Sequence, residues 1–280
     1  MWPHLRSLWG AVGFGETYVA APKTAVARRE AYERDGFVSG GVLLDGTALS
    51  VLRAEFDRIH AQGLGAQDLR IAEGPGRVFY RIADLHRRSA EFERLVQHPV
   101  LVARLAELTG LDSFRVLTDQ VQFKPPQVGG RNAWHRDMPT FPLERPFTGL
   151  TAWIALDDAT RQTGCMRMVP GSHRWGDAED LAVEGDGWGL PGVASLSTYH
   201  GHPVEVVPRP VPAGHVHFHH AMVWHESGRN KTPNKRRAFA IHFAGADDRY
   251  RGNRWTKLEG LRDGDPLDAA APLVVRARTP

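Results

Sequence analysis

The feature that most constrains the fold is a change of pattern near Leu111. Before it, residues 23–35, 45–60 and 90–110 carry apolar residues at helical spacing, the last of them broken at Pro99. After it come short runs rich in β-branched and aromatic residues, separated by proline, glycine and asparagine. Helices followed by a series of strands predict an α+β fold, mainly β, with a barrel or a double-sheet jelly roll.

The length of 280 residues allows one large domain, and we predict a single domain over residues 1–280. Its helical part spans about 23–110, and its β core spans about 111–245. Residues 175–202 show no sustained period, and a loop of this length in a compact domain is usually functional. We therefore expect a lid there; a surface excursion is the alternative.

Charge and cysteine content exclude several classes of protein. The net charge is only +3 and the basic residues are interspersed with acidic ones, which argues against nucleic-acid binding. The single cysteine, Cys165, cannot form an intramolecular disulfide, and no N-terminal apolar run is long enough for a signal peptide or a membrane span. We expect a cytoplasmic monomer or homodimer that acts on a small molecule, away from membranes.

The segment NAWHRDMPTF contains His135 and Asp137, which project from the same face if the segment is extended. An Fe(II) site of the two-histidine, one-carboxylate kind needs one more histidine and leaves its other positions open. The spacing alone is weak evidence, because it also suits two polar residues at a strand end. Eight downstream histidines could complete the site, so counting alone does not choose among them: His200, His202, His215, His217, His219, His220, His225 and His242.

The segment HESGRNKTPNKRR favours His225 as the third ligand. If His225 ends a strand and the following turn reverses the chain, the next strand runs antiparallel beside it and places an arginine in the same cavity. A guanidinium near iron suits a dicarboxylate cosubstrate that chelates the metal with its other end. Neighbours on a strand face opposite ways, so only one of Arg236 and Arg237 can point inward, and its distance from His225 favours Arg236.

These motifs resemble those of the phytanoyl-CoA dioxygenase family of Fe(II)- and 2-oxoglutarate-dependent oxygenases, which build a double-stranded β-helix, or jelly roll, flanked by helices. The resemblance covers residues 32–244. It rests on five segments: YERDGFV, RVFYRIADLH, QFKPPQVGGRNAWHRD, TAWIALDDATRQTGCMRMVPGSH and HESGRNKTPNKRR.

The resemblance implies a site with Fe(II), 2-oxoglutarate and O2. The residues that match the iron ligands are His135, Asp137 and His225. The residues that match the 2-oxoglutarate site are Arg236, Ser227 and Trp153, with Gln120 or Gln122 on a neighbouring strand. Trp153 is equally explained as a core residue, and His215, His217, His219 and His220 receive no metal role.

The activity implied by the resemblance is oxidation of an unactivated C–H bond, by hydroxylation or oxidative cyclisation, with release of succinate and CO2. Frequent Arg and Ala indicate a GC-rich bacterial source, where such enzymes tailor secondary metabolites, including glycosylated antibiotics. A polar small molecule is therefore the expected substrate. The alternatives are a fatty acyl-CoA hydroxylase, a non-redox metal-dependent isomerase and a binding domain.

Two features depart from the family pattern, and both leave the substrate open. Glu226 follows His225 where a small residue is expected, and the long loop has no readable motif. The residues that we expect to line the substrate pocket are Arg136, Met138, Phe141, Trp188 and Tyr199.

Overall fold

A computed structural model describes residues 18–72, 76–137, 143–144, 148–176, 197–252, 260–268 and 273–277. Local signals fix the helix ends: Thr24 and Asp45 each accept a hydrogen bond from a backbone N–H of the first turn, and Gly36 and Gly110 end helices in the left-handed conformation. The helices are α1 (Ala25–Asp35), α2 (Gly46–Ala61), α3 (Leu85–Arg88), α4 (Ala90–Val96) and α5 (Pro99–Thr109).

The strands are short except for two long ones that form the middle of the larger sheet. They are β1 (Phe37–Val42), β2 (Leu69–Ala72), β3 (Val78–Ala83), β4 (Ser113–Lys124), β5 (Asn132–His135), β6 (Leu150–Ala155), β7 (Met166–Met168), β8 (Thr198–Tyr199), β9 (His202–Pro203), β10 (Val207–Arg209), β11 (His215–His220), β12 (His225–Ser227), β13 (Arg236–Gly245) and β14 (Val274–Arg276).

Two antiparallel sheets make the β core. The larger has the order β1-β11-β6-β13-β4-β3-β2, with β14 also paired to β4, and the smaller has the order β10-β7-β12-β5. Sequence neighbours such as β11 and β12 lie in different sheets, which is the crossover pattern of a jelly roll. The predicted α+β, mainly β fold is confirmed.

Alternation along the strands of the larger sheet separates its two faces. Phe239 on β13 points to the helical side, where its ring lies 4.9 Å from that of Phe92 on α4. Its neighbours Ala238 and Ala240 point to the other side and pack with Trp153 and Met166. The face of the larger sheet that looks towards the cavity is therefore formed by every second residue of its strands.

Three local expectations needed correction. The helical N-terminal part also supplies β1, β2 and β3, which extend the larger sheet. His225 begins β12 instead of ending a strand, and β13 does not pair with β12 but crosses to the opposite sheet, because β12 is already paired on both sides by β5 and β7. The end of the predicted lid, 198–203, forms the β8–β9 hairpin, while 177–196 lie outside the described residues.

Candidate metal centre and cosubstrate pocket

The smaller sheet brings His135, Asp137 and His225 together. His135 ends β5 and is the register partner of His225 at the start of β12, and Asp137 lies two residues beyond β5. Asp137 Oδ1 is 3.6 Å from His135 Nε2 and 3.8 Å from His225 Nε2, and one ligand atom from each residue lies within 4.8 Å of the others. All three side chains are buried, and this donor set suits a non-haem Fe(II) ion.

Backbone carbonyls orient both imidazoles. His135 Nδ1 donates to Ala133 O at 2.7 Å, and His225 Nδ1 donates to Val223 O at 3.0 Å. Each Nε2 therefore carries the lone pair that a metal needs. Burial lowers the pKa of His135 to about 4 and also lowers that of His225, so both rings are neutral near pH 7.

Asp137 is surrounded by donors. Its Oδ2 accepts a hydrogen bond from Thr151 Oγ1 at 2.7 Å and one from His219 Nε2 at 3.0 Å. Burial raises the pKa of Asp137, but the neighbouring His225 and the hydrogen bond from His219 lower it more, so the pKa lies well below its ordinary value. The carboxylate is thus ionised, as a metal ligand must be.

Arg236 lies in the same cavity, at the start of β13 in the opposite sheet. Its guanidinium is fully buried, with Cζ 5.6 Å from the ring centroid of Trp153, and Nη2 donates to Gly164 O at 3.3 Å. Burial lowers the pKa of Arg236 to about 10, which leaves it positively charged near pH 7. Among the described residues, Arg236 Nε and the hydroxyl of buried Ser227 make no hydrogen bond.

Gly164 allows the turn before β7 to approach this pocket closely. Its φ is +86°, and a Cβ there would lie 2.2 Å from Gly228 O. Only glycine fits this approach, which brings the Gly164 carbonyl to the Arg236 guanidinium.

The cavity occupies about 270 Å³, including the space open to solvent. Trp153 Nε1 donates to Gln122 Oε1 at 3.1 Å, which fixes both side chains at its wall. Gln120 lies two residues earlier on β4, on the same face as Gln122. The described residues that line the cavity are Gln122, Asn132, Asp137, Thr151, Trp153, Met166, His219, His225, Glu226, Ser227 and His242.

Of the expected substrate residues, the two that the structure describes, Arg136 and Tyr199, do not line the iron cavity. Arg136 donates to Ser172 O and Gly176 O and stacks over Trp224, so it points away from its neighbours His135 and Asp137. Tyr199 is buried beside the Trp175 ring, at the end of the predicted lid. Met138, Phe141 and Trp188 lie outside the described residues.

Sequence reasoning missed three residues around Asp137: His219, Thr151 and His242. His219 Nε2 and Thr151 Oγ1 bind Asp137 directly, and Thr151 Oγ1 is also 2.9 Å from His242 Nδ1. The sequence signal that could have pointed to His219 is the alternation along β11, which predicts that His217 and His219 share a face. It does not predict which strands lie beside them.

A second group, Asp84, His86 and Asp119, has metal-ligand geometry on the helical side of β4. There Asp119 accepts hydrogen bonds from the backbone N–H of Leu85 and of His86 and from the His86 ring. These bonds occupy the Asp119 carboxylate as the cap of α3, so we assign the group a structural role.

The jelly roll and its buried His-Asp-His set, with a buried arginine across the cavity, define the class of iron- and 2-oxoglutarate-dependent oxygenases. The family model for phytanoyl-CoA dioxygenase (PhyH) matches residues 32–238, which is most of the chain. The chain belongs to this family, whose cofactors are Fe(II) and 2-oxoglutarate.

Known proteins agree with this assignment. The chain is 34% identical over 157 residues to phytanoyl-CoA dioxygenase domain-containing protein 1 of Bos taurus, a match that covers 54% of this chain and only about half, 52%, of that relative. Two solved structures match over nearly their whole length. The epimerase SnoN in complex with Fe3+, alpha ketoglutarate and nogalamycin RO is 30% identical with a TM-score of 0.70 and covers 87% of this chain and 95% of its own. The carbocyclase SnoK from nogalamycin biosynthesis is 27% identical with a TM-score of 0.71, and the match covers 90% of this chain and 96% of SnoK.

Within the described part of the chain, no helix has the length and apolar character required to cross a membrane.

Proposed function

We propose that this chain oxidises an unactivated C–H bond of a polar small molecule, by hydroxylation or oxidative cyclisation, with Fe(II) held by His135, Asp137 and His225. When bound, iron and 2-oxoglutarate activate O2 and release succinate and CO2. Arg236 and Ser227 bind the distal carboxylate of 2-oxoglutarate.

The observation that carries this proposal is the unsatisfied pair at the far side of the cavity. Among the described residues, the Nε of the fully buried Arg236 guanidinium and the buried Ser227 hydroxyl have no hydrogen-bond partner, and such groups are costly in a folded protein unless a ligand completes them. A carboxylate accepts from both Arg236 and Ser227, and it neutralises the buried charge. A metal-dependent isomerase needs no such second anchor.

The wall between the iron ligands and Arg236 is preorganised. Gln122 and Trp153 hold each other by a hydrogen bond, and Trp153 lies beside the Arg236 guanidinium. We assign Trp153 and Gln122, with Gln120 on the same face of β4, to the wall along which the keto acid lies. Their fixed side chains orient it and exclude water from its path.

The polar cavity supports a polar substrate. Besides Asp137, His225 and Ser227, its described lining residues include Thr151, Asn132, His219 and His242. The similarity to SnoN and SnoK favours a bacterial secondary metabolite, such as a glycosylated antibiotic intermediate. A fatty acyl-CoA is the second candidate, because the family takes its name from phytanoyl-CoA.

Anaerobic titration tests the proposed cofactors directly. Purified protein with Fe(II) should develop the weak visible charge-transfer band of a chelated keto acid when 2-oxoglutarate is added, and His135→Ala should lose it. Absence of the band in the parent protein, or its persistence in His135→Ala, would refute the proposal.

The substrate is tested separately by succinate release in air. Glycosylated polyketides should raise the rate of succinate release above the uncoupled background, and oxidised product should appear by mass spectrometry. Stimulation by branched acyl-CoA alone would transfer the assignment to the second candidate.

A further inference from the structure

The two oxygens of Asp137 have different surroundings. Oδ1 faces the Nε2 atoms of His135 and His225, at 3.6 and 3.8 Å. Oδ2 faces away from them and accepts hydrogen bonds from Thr151 and His219. Oδ1 is thus the oxygen on the side of the two imidazoles, whereas Oδ2 accepts two hydrogen bonds from the larger sheet.

We propose that His219, supported by Thr151 and His242, is a positioning residue that reserves Oδ2 of Asp137 for hydrogen bonds and so keeps Asp137 a one-oxygen ligand. This inference rests on the proposed function, because it assumes that His135, Asp137 and His225 hold the iron. It gives a role to a histidine that neither binds the metal nor belongs to the cosubstrate anchor.

The three supporting residues form one row across the larger sheet. His219 on β11 is the register partner of Thr151 on β6, and Thr151 is the register partner of His242 on β13. All three residues line the cavity and are buried. Because adjacent strands fix their spacing, the donors are held in place before any ligand binds.

The hydrogen bonds have a defined direction. An ionised carboxylate can only accept, so the single Thr151 hydroxyl hydrogen is donated to Asp137. Thr151 Oγ1 then accepts from His242 Nδ1, at 2.9 Å. His219 must carry its hydrogen on Nε2, which leaves Nδ1 as a buried acceptor with no partner among the described residues. An unsatisfied nitrogen is costly, and the His219–Asp137 bond explains why the ring keeps this orientation.

The consequence is an open coordination site. If Asp137 turned to offer both oxygens, it would occupy one more position around the metal. With Oδ2 bound by His219 and Thr151, the protein supplies three ligand atoms and leaves the remaining positions for the keto acid and O2. Hydrogen bonds to ligands from outside the coordination shell commonly change metal affinity by about 10- to 100-fold when removed.

Substitutions at His219 test the idea. His219→Leu removes the donor, whereas His219→Gln retains an N–H at similar reach. The matched control is His217→Leu, which deletes another buried, inward-facing imidazole two residues away on β11. Thermal melting of the metal-free proteins, with circular dichroism, confirms that each variant is folded.

The first readout uses Co(II) alone as the probe. For His219→Leu we expect a dissociation constant raised about 10- to 100-fold and a changed visible Co(II) spectrum. His219→Gln and His217→Leu should stay within about threefold of the parent and keep its spectrum. Parent-like affinity and spectrum in His219→Leu would overturn the inference, as would an equal loss in His217→Leu.

The second readout separates this inference from the proposed function. If the parent binds Co(II) but gives no charge-transfer band with Fe(II) and 2-oxoglutarate, the proposed function fails while the Co(II) comparison still decides the role of His219. If the parent gives the band, a shifted maximum in His219→Leu, restored in His219→Gln, supports the inference. If the parent binds no metal, both proposals fail.

Discussion

Arg236 and Arg237 are adjacent on β13, but of these two only Arg237 is paired with carboxylates among the described residues. Arg237 points to the helical side, where Nε and Nη2 donate to the two oxygens of Asp157 at 2.7 and 3.0 Å. Arg236 points into the cavity, is fully buried and has no carboxylate partner among the described residues. Arg237 is therefore neutralised within the protein, whereas no such carboxylate of the described residues neutralises Arg236, which is why we propose it as the anchor for 2-oxoglutarate.

The first prediction concerns this difference. Arg236→Leu should weaken 2-oxoglutarate binding about 100-fold, because it removes charge-assisted hydrogen bonds worth roughly 3 kcal/mol. Arg236→Lys should weaken 2-oxoglutarate binding about tenfold, since lysine keeps the charge but lacks the planar fork. Both should retain Co(II) affinity. The measurement is the dissociation constant of 2-oxoglutarate from the anaerobic titration.

Arg237→Gln is the matched control. It should lower the free energy of unfolding by roughly 1–3 kcal/mol, because it removes the ion pairs of Arg237 with Asp157 and Asp57, although Arg53 still pairs with Asp157. Its affinity for 2-oxoglutarate should remain within about twofold of the parent. If Arg237→Gln rather than Arg236→Leu weakened the cosubstrate, our choice between the two arginines would be wrong.

The sequence predicted those parts of the site that depend on local alternation. His135 and Asp137 share a face because they are two residues apart, and Arg236 and Arg237 face opposite ways because they are neighbours. The surroundings of Asp137 were not predictable in the same way. Thr151 and His242 meet Asp137 through the register of strands far apart in the chain, and no local pattern encodes that register.

The fold shows the same division. The helix ends at Gly36 and Gly110 could be read from the sequence, because those residues adopt left-handed conformations that glycine favours. The pairing of β1 with the edge of β11 could not be read from the sequence, because Phe37–Val42 pairs with a strand that lies about 180 residues later. The extended conformation of Phe37–Val42 is set by its pairing with β11 and by its burial against the helices, and both are long-range contacts.

The second prediction concerns metal stability. Saturating Co(II) at about 100 times its dissociation constant should stabilise the protein by roughly 2.7 kcal/mol and raise Tm by about 5 to 10 °C. His225→Ala should abolish this increase. His86→Gln, in the second group of possible ligands, should lower the initial Tm but retain the increase, since we assign that group to capping α3. Two bound metal equivalents, one lost in His86→Gln, would contradict the assignment.

The third prediction concerns Glu226, which departs from the family pattern beside His225. Its side chain is 3% exposed and pairs with Arg167 on the neighbouring strand β7, while the Arg167 side chain is 44% exposed. Glu226→Ala should cost roughly 1–3 kcal/mol of unfolding free energy and leave the charge-transfer band unchanged. Arg167→Ala should cost at least as much, because it leaves the buried Glu226 carboxylate without this partner, whereas Glu226→Ala leaves only a solvent-exposed arginine. Loss of the band in a folded Glu226→Ala protein would show that this residue serves the metal centre.

The fourth prediction is a pH dependence of stability that arises at His173, which is not one of the proposed iron ligands. His173 lies against Gly36, its Nε2 donates to Glu33 O at 3.2 Å, and its Nδ1 is buried without a hydrogen bond among the described residues. Burial, reinforced by the nearby Arg174 and Arg136 and only partly offset by the hydrogen bond to Glu33 O and by Asp35, lowers the pKa of His173 to about 4.

Because the folded pKa of His173 lies below its unfolded value of about 6.5, the unfolded chain binds more protons between these values. The stability contribution is therefore fully present above about pH 6.5 and is lost as the pH falls toward 4. Allowing for partial exposure, the loss is about 1–2 kcal/mol. Urea unfolding of metal-free parent and His173→Gln from pH 7 to 4 measures it. The other buried histidines contribute equally to both proteins, so they cancel when the two stabilities are subtracted. Equal pH slopes for parent and His173→Gln would show that His173 is not responsible.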